Sequence, residues 1–342
     1  VLPAIDHYQR SARNCFAANP VDRLSGRRRD EAWLAKELAS PGARFLPVWD
    51  SKQLFTHKAT PQPVVLSHPE AAEFIEGADT VMFLGRDGPS TFFALDLPQS
   101  GSPLVERLAR HGQFHDLKRF GALIEPRQAA LLAYARGLTH WHRRHRFCGD
   151  CGNQTASVDG GHRRVCTRLE CGAEHFPRTD PAVITLVHAK DRCLLGRQAI
   201  WPQGFFSAIA GFVEPGESLE DAVVREIHEE TGVRVTGIQY HSSQPWPFPC
   251  SIMLGFTALA RGDETIRLVD HELEEARWYS RQDYKQQLEA GLLRLPSSFS
   301  IAFRLIQDWY DAGSQPSLEA LLASLKGHEL FFSGRPAEKH ET

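Results

Sequence analysis

Two groups of residues in this chain are spaced for chemistry: the carboxylates Glu226, Glu229 and Glu230, and the thiols Cys148, Cys151, Cys166 and Cys171. The acids lie in the stretch GFVEPGESLEDAVVREIHEETGV, Gly211 to Val233. Its turn formers Glu214, Pro215 and Gly216 lead to Ser218, a good N-cap, and a helix is predicted from there to Thr231, with Gly232 as its stop. With Leu219 at zero and about 100° per residue, Ala222, Val223 and Ile227 fall on one side and Asp221, Arg225 and His228 on the other. Glu226 and Glu230 land within about 20° of Leu219, on the apolar side, with Glu229 at its edge. An acidic run is ordinarily a solvated face. Carboxylates turned toward a core instead cost roughly several kcal/mol each unless paired, and a hard divalent cation is the usual remedy. The pattern implies a bound metal.

The cysteines form a C-x2-C knuckle, then fourteen residues, then a C-x4-C knuckle. Four thiolates on paired turns can meet one Zn²⁺ tetrahedrally with no open position, which makes such a site structural. Gly149, Gly152 and Gly172 permit tight knuckles, and the second knuckle is longer than the commoner x2 form. Two disulfides are the alternative. Cys15, Cys193 and Cys250 read as core or surface thiols.

The elements that hold these groups belong to a chain of 342 residues, too long for one ordinary core, so two or three domains are expected, with 42% apolar residues to fill them. Lys and Arg total 39 against 42 Asp and Glu, a net charge of −3; any nucleic-acid contact would have to be local. Seven cysteines, an odd number, argue against a complete disulfide framework and for a reducing compartment. No apolar run approaches the ~18 residues of a membrane span, and no charged-then-apolar leader is read at Val1. The expectation is a soluble, intracellular, cytoplasmic protein, with an organellar location open and a processed or trimmed start.

Residues 1–125 read as a mixed α+β domain. Asp30 caps a helix to Ala39, RFLPVW and QLFTH form strands around Asp50-Ser51-Lys52, and VVL, TVMFLG and TFFALDL are further strands. Arg27-Arg28-Arg29 suits a solvated helix approach better than a phosphate contact. Residues 126–146 read as a linking helix, with Ala130, Leu131, Tyr134, Leu138 and Trp141 at helical spacing. From Tyr134 to Phe147 it holds four arginines, three histidines and no acid. This is the most basic surface in the chain, read either as a solvated helix end complementing its dipole or as a nucleic-acid contact. The thiol ribbon spans 147–177. The domain of 178–312 contains two strands around Ala189-Lys190-Asp191 and a loop and strand that deliver the acidic helix, and 313–342 is a tail with one helix, Ser317 to Leu325. In SSQPWPFPCS, Ser242 to Ser251, three prolines fix alternate φ angles, so Trp246 and Phe248 project from a stiff extended segment toward one side. Such a rail can hold a planar ring; a rigid core loop or a proline-helix ligand are the alternatives.

Gly211, five residues, Glu217, seven residues, and Arg225-Glu226-Ile227-His228-Glu229-Glu230-Thr231-Gly232-Val233 resemble the Nudix box in all seven fixed letters and both apolar positions. With the thiol ribbon before it and SQPWPFPCS after it, the chain resembles the NADH pyrophosphatase branch of the Nudix hydrolases, from about Trp141 to Trp309 and more weakly over the N-terminal domain. The resemblance implies an α/β/α sandwich for the C-terminal domain, giving an α+β and α/β chain with a zinc ribbon between. It implies catalytic roles for Glu217, Arg225, Glu226, Glu229 and Glu230. Mg²⁺ or Mn²⁺ would lie on the Ala210 carbonyl, Glu226, Glu230 and Glu272, and one structural Zn²⁺ on the four cysteines. It implies substrate contacts at Phe176, Phe212, Gln244, Pro245, Trp246, Pro247, Phe248, Pro249, Cys250, Ser251, Glu272 and Ala302, with Phe212 and Trp246 flanking the nicotinamide. A homodimer with composite sites is also implied.

The implied activity is hydrolysis of the diphosphate bond of NADH or NAD⁺ to nicotinamide mononucleotide and AMP, with Glu230 or Glu229 as base. The same chemistry on NAD-capped RNA is the alternative. A zinc-ribbon binding protein with an inactive Nudix fold is an alternative of another class, and the inward acids argue against it because a retired site has no physical need of them.

Overall fold

The structure, a computed structural model, describes residues 6–99, 103–268 and 272–325. The chain divides into two compact units: one joins residues 16–179 to 245–251, the other the described residues of 1–15, 180–244 and 252–342. The first helix, α1 (His7–Ala12), is capped by Asp6 and belongs to the second of these.

The unit of 16–179 continues with α2 (Glu31–Leu38), β1 (Ala43–Trp49), β2 (Lys52–Phe55), β3 (Leu66–Ser67), α3 (His68–Glu76), β4 (Thr80–Asp87), β5 (Ser90–Asp96), α4 (Pro103–Leu108), β6 (Gln113–His115), α5 (Leu117–Phe120) and α6 (Pro126–Arg144). The strands form one sheet in the order β4-β5-β1-β2-β6, with β3 on β1; β1 and β5 run parallel and the other pairs antiparallel. Phe45, Phe83, Phe93 and Leu95 of the sheet pack with Phe74 of α3 and with Trp33 and Leu34 of α2. Asp30 caps α2 as the sequence predicts, accepting from the Trp33 N–H. Arg27 pairs with Asp30 and Arg29 with Asp159, so two of the three consecutive arginines have acidic partners of their own. A small sheet of β7 (Thr155–Val158), β8 (Arg163–Cys166) and β9 (Glu174–His175) forms the ribbon.

α6 buries more than its sequence suggests. Arg136 and His142 are buried, and Arg143 donates from Nε and Nη2 to the buried Asp96 at 2.9 and 2.5 Å. Of the four arginines between Tyr134 and Phe147 only Arg144 and Arg146 are exposed. The expected basic surface shrinks to these two, because α6 packs against β1, β2, β4 and β5 and the remaining arginines of this stretch find internal acceptors, Asp96 of β5 for Arg143 and the Pro247 carbonyl with Asp116 for Arg136.

One consequence is a pH dependence. His142 donates from Nε2 to the Gly161 carbonyl at 2.8 Å, while Arg164 donates to its Nδ1 at 2.8 Å, which fixes the neutral tautomer. Burial, reinforced by the Arg164 charge, lowers the His142 pKa to about 4. Unfolded, the same ring takes a proton near 6.5. The neutral ring's contribution is therefore complete above about pH 6.5 and is lost as pH falls toward 4, up to about 3 kcal/mol. Asp96, pushed up to about 6 by burial despite Arg143, acts in the opposite sense. The clean observable is the difference between wild type and His142→Gln. Denaturant unfolding at several pH values should find the variant gaining on wild type by roughly 3 kcal/mol from pH 6.5 to 4, whereas a pH-independent difference would mean that His142 titrates normally.

The other unit contains β10 (Asp180–Ala189), β11 (Arg192–Arg197), β12 (Ile209–Phe212), α7 (Leu219–Thr231), β13 (Val235–Trp246) as far as Gln244, β14 (Ser251–Ala260) from Ile252, β15 (Glu275–Ser280), α8 (Arg281–Glu289), α9 (Ile301–Asp311) and α10 (Leu318–Ser324). Its strands are ordered β13-β14-β10-β11-β15, with β12 on β10. Alternation along β10 serves both faces: Val183 and Val187 pack with Ala222, Val223 and Ile227 of α7, while Ile184 and Leu186 pack with Ile301, Leu305 and Ile306 of α9. The result is the α/β/α sandwich that the resemblance implied. α10 is the helix expected in the tail, capped by Ser317; the tail from residue 326 lies outside the described residues. No described helix is long and apolar enough to cross a membrane.

Candidate active site

α7 starts and stops where the sequence places it. Ser218 Oγ accepts from the Asp221 N–H, the Asp221 carboxylate accepts from Ser218 in return, and Gly232 ends the helix at φ 70°. The rotation of the helix then sorts its acids. Glu230 is 3% exposed, Glu226 is half-buried, and Glu229 lies at the edge with its side chain 51% exposed.

Arg225 ties the acids together. Its Nε and Nη2 donate to both oxygens of Glu217 at 2.5 and 2.8 Å, and Nη1 donates to Glu226 at 2.9 Å and Glu229 at 3.1 Å. Nη2 also reaches the Phe212 carbonyl at 2.9 Å, joining the helix to the strand before it. This planar, forked geometry is specific to arginine. Arg225, with the Glu214 N–H, holds the Glu217 carboxyl down to about 2, and Glu217 in turn locks the guanidinium in its charged form.

The first glycine of the motif has a spatial reason. β12 runs antiparallel to β10, with Ala210 opposite Ile184 and Gly211 opposite Val183. A Cβ on Gly211 would lie 1.9 Å from the Glu226 carboxyl carbon, so Gly211 is the seat of that carboxylate. The Glu226 carboxyl is raised by burial first and then by the like charges of Glu229 and Glu272, against the pull of Arg225. Glu226 thus shares its electrostatic neighbourhood with Glu229 and Glu272 while Arg225 offsets one charge, a surplus of the sign that suits a hard divalent cation, although among the described residues only the four cysteines are gathered within ligand distance of one another. Ala210 and Glu272, the other expected ligands, are both exposed.

In the ribbon, the sulfurs of Cys148, Cys151, Cys166 and Cys171 all lie within 4.8 Å of one another; Cys148 to Cys171 is 3.8 Å and Cys151 to Cys166 is 3.4 Å. Tetrahedral zinc with Zn–S near 2.3 Å sets sulfurs about 3.8 Å apart, so the thiols fit the ion and are not disulfides. Backbone N–H groups lower the thiols of Cys148 and Cys151, the latter to about 7 through Asn153. Elemental analysis should find one zinc per chain that survives dialysis; zinc-free protein with disulfides, prepared without oxidant, would refute the site.

The expected substrate residues fall into distinct environments. Gln244 is fully buried, and its amide serves the main chain: Nε2 donates to the carbonyls of Cys15 and Phe299 at 3.0 and 2.6 Å, and Oε1 accepts from Ile301 at 2.8 Å. It thereby fixes the start of α9, where Ala302 is also buried. Beyond Trp246 the chain is not an extended rail. Residues 247–250 turn between β13 and β14, and the Phe248 N–H donates to the Trp246 carbonyl at 2.7 Å. A fixed proline φ suits a turn as readily as an extended segment. The two rings nonetheless come together, their centroids 5.1 Å apart and T-shaped, with Phe16 at 5.6 Å from Phe248 and 6.4 Å from Trp246. Pro245 and Pro249 are exposed, Pro247 and Ser251 buried, and Trp246, Phe248 and Cys250 half-buried. Phe212 and Phe176, which belong to different units, are 59% and 62% exposed. Phe16, Lys118 and Arg136, which touch the turn, carry no sequence signal that links them to it.

Three family profiles match consecutive parts of the chain: an NADH pyrophosphatase-like rudimentary NUDIX domain over residues 42–141, an NADH pyrophosphatase zinc ribbon domain over 143–176, and a NUDIX domain over 178–296. The chain is 34% identical to the NAD-capped RNA hydrolase NUDT12 of Macaca fascicularis, a match covering 86% of this chain and 73% of that protein. It is 44% identical to the NAD-capped RNA hydrolase NudC of Mycobacterium bovis over 57% of this chain and 64% of that one. A crystal structure of a NUDIX hydrolase from Nitrosomonas europaea aligns with 49% of this chain and 92% of its own, at 21% identity and a TM-score of 0.40. From the extent of the match to the first relative and the three profiles in series, the chain belongs to the Nudix hydrolases, in the branch that carries the NADH pyrophosphatase zinc ribbon.

Proposed function

We propose that this enzyme hydrolyses the diphosphate bond of NADH or NAD⁺, giving nicotinamide mononucleotide and AMP. The observation that carries the reading is the acidic face of α7, with Glu226 seated on Gly211 and the cluster framed by Arg225. Mg²⁺ or Mn²⁺, when bound, would neutralise the diphosphate and lower the pKa of a water. The Ala210 carbonyl, Glu226, Glu230 and Glu272 would hold the ion, and Glu230 or Glu229 would take the proton from the attacking water. Glu217 and Arg225 keep these side chains aimed, and Trp246 offers a ring face to the nicotinamide. The ribbon zinc is structural. A homodimer with composite sites, in the cytoplasm, completes the proposal.

Two relatives that are NAD-capped RNA hydrolases support a second reading, in which the same bond is cut at the NAD-capped 5′ end of RNA. The two substrates differ only in whether a nucleotide chain is attached beyond the adenosine. Competition between NADH and an NAD-capped oligonucleotide in one reaction, scored by kcat/KM, separates them: the first reading predicts that the RNA gives no more than a severalfold advantage, and a large advantage favours the second. Cleavage of neither substrate overturns both.

A further inference from the structure

We propose that Arg136 is a positioning residue for nicotinamide recognition: from α6 it holds the Pro247–Phe248 turn in the shape that presents Trp246. This rests on the reading of NAD(H) as substrate. The turn has few donors of its own, since Pro245, Pro247 and Pro249 have no N–H; the Phe248 N–H serves the Trp246 carbonyl, and the Pro247 carbonyl takes its partner from elsewhere. Arg136 supplies it. Its Nε donates to the Pro247 carbonyl at 2.7 Å, its guanidinium carbon lies 4.8 Å from the centroid of the Phe248 ring, and Nη2 is anchored by Asp116 at 3.3 Å. The ammonium of Lys118 lies 4.8 Å from the same ring, so two cations act on one aromatic face system. Phe248 then packs on Trp246. A methyl group on Gly137 would sit 3.7 Å from the Pro247 Cβ, which places the turn against the helix backbone as well.

The energetics favour a role beyond folding. Arg136 is 8% exposed, its Nη1 is buried without a hydrogen-bond partner, and burial lowers its pKa. A guanidinium buried with an unsatisfied donor group is costly, and an apolar side chain at that point of α6 would serve the core better. Such breaches of local packing rules concentrate where function requires them. Arg136 touches no reacting atom; it acts through Pro247 and Phe248.

The test is steady-state kinetics of the full chain on NADH and on ADP-ribose, which lacks the nicotinamide. Arg136→Lys keeps the charge but removes the Nε donor. It should raise KM for NADH roughly 5- to 20-fold with kcat within about 2-fold, and leave kcat/KM for ADP-ribose within about 2-fold. Lys118 is exposed, so Lys118→Ala carries the test if Arg136→Lys fails to fold; it should move KM for NADH the same way by about 2- to 5-fold. In a Trp246→Ala background Arg136→Lys should add almost nothing, the signature of one acting through the other. Equal losses on both substrates, full additivity, or unchanged NADH KM in both variants would overturn the proposal alone. A wild-type protein that cleaves ADP-ribose but not NADH would overturn the substrate reading with it.

Discussion

Glu230→Gln is expected to fold normally and to lose at least ~100-fold in kcat at saturating Mg²⁺ or Mn²⁺. The two side chains have nearly the same volume, and Glu230 is 3% exposed on the apolar side of α7, so the substitution removes charge without opening a cavity. Removing one like charge from a face that already holds Glu226 and Glu229 should leave the melting temperature unchanged or higher. The rate, by contrast, depends on that charge as a cation ligand or as a base. A stable variant with near wild-type turnover would show that the inward acids of this helix do not carry the chemistry.

Trp246→Ala is expected to lower kcat/KM for NADH roughly 5- to 150-fold, the equivalent of ~1–3 kcal/mol of lost stacking, while sparing ADP-ribose. Trp246 is half-buried, edge-on to Phe248 and near Phe16, so its truncation leaves those neighbours as a floor for the turn. Equal losses on both substrates would make the turn a structural loop. On capped RNA the salt dependence should be shallow. With Arg136 and Arg143 engaged inside the protein and Arg127 paired with Asp87, α6 and its end leave Arg144 and Arg146 for phosphate. Two phosphate contacts correspond to a log–log slope of about −1.4 for single strands. A much steeper slope would require a basic surface other than α6.

The features legible in the sequence are local ones. The bounds of α7 are set by Ser218, Asp221 and Gly232 within the helix itself, and the zinc site by cysteine spacing on two knuckles. The hidden features depend on distant partners. The arginines of α6 read as surface charge because Asp96 and the Pro247 carbonyl, their acceptors, lie 47 and 111 positions away. Gln244 read as a substrate contact, yet its amide is occupied by Cys15 and Phe299, 229 and 55 positions away. The proline-rich segment read as extended because alternate fixed φ angles are compatible with both an extended chain and a hairpin turn, and only the pairing of β13 and β14 decides. α9 carries a local signal too, with Ser300 as cap and Ile301, Leu305, Ile306 and Trp309 at helical spacing.

Metal-dependent cleavage between the two phosphates of a nicotinamide dinucleotide is tested by product analysis of one reaction. Purified protein with NADH and Mn²⁺ should release AMP and reduced nicotinamide mononucleotide in equal amounts, and chelator or Glu230→Gln should abolish both products. Release of free nicotinamide, or AMP formation that persists unchanged in chelator and in Glu230→Gln, would contradict it.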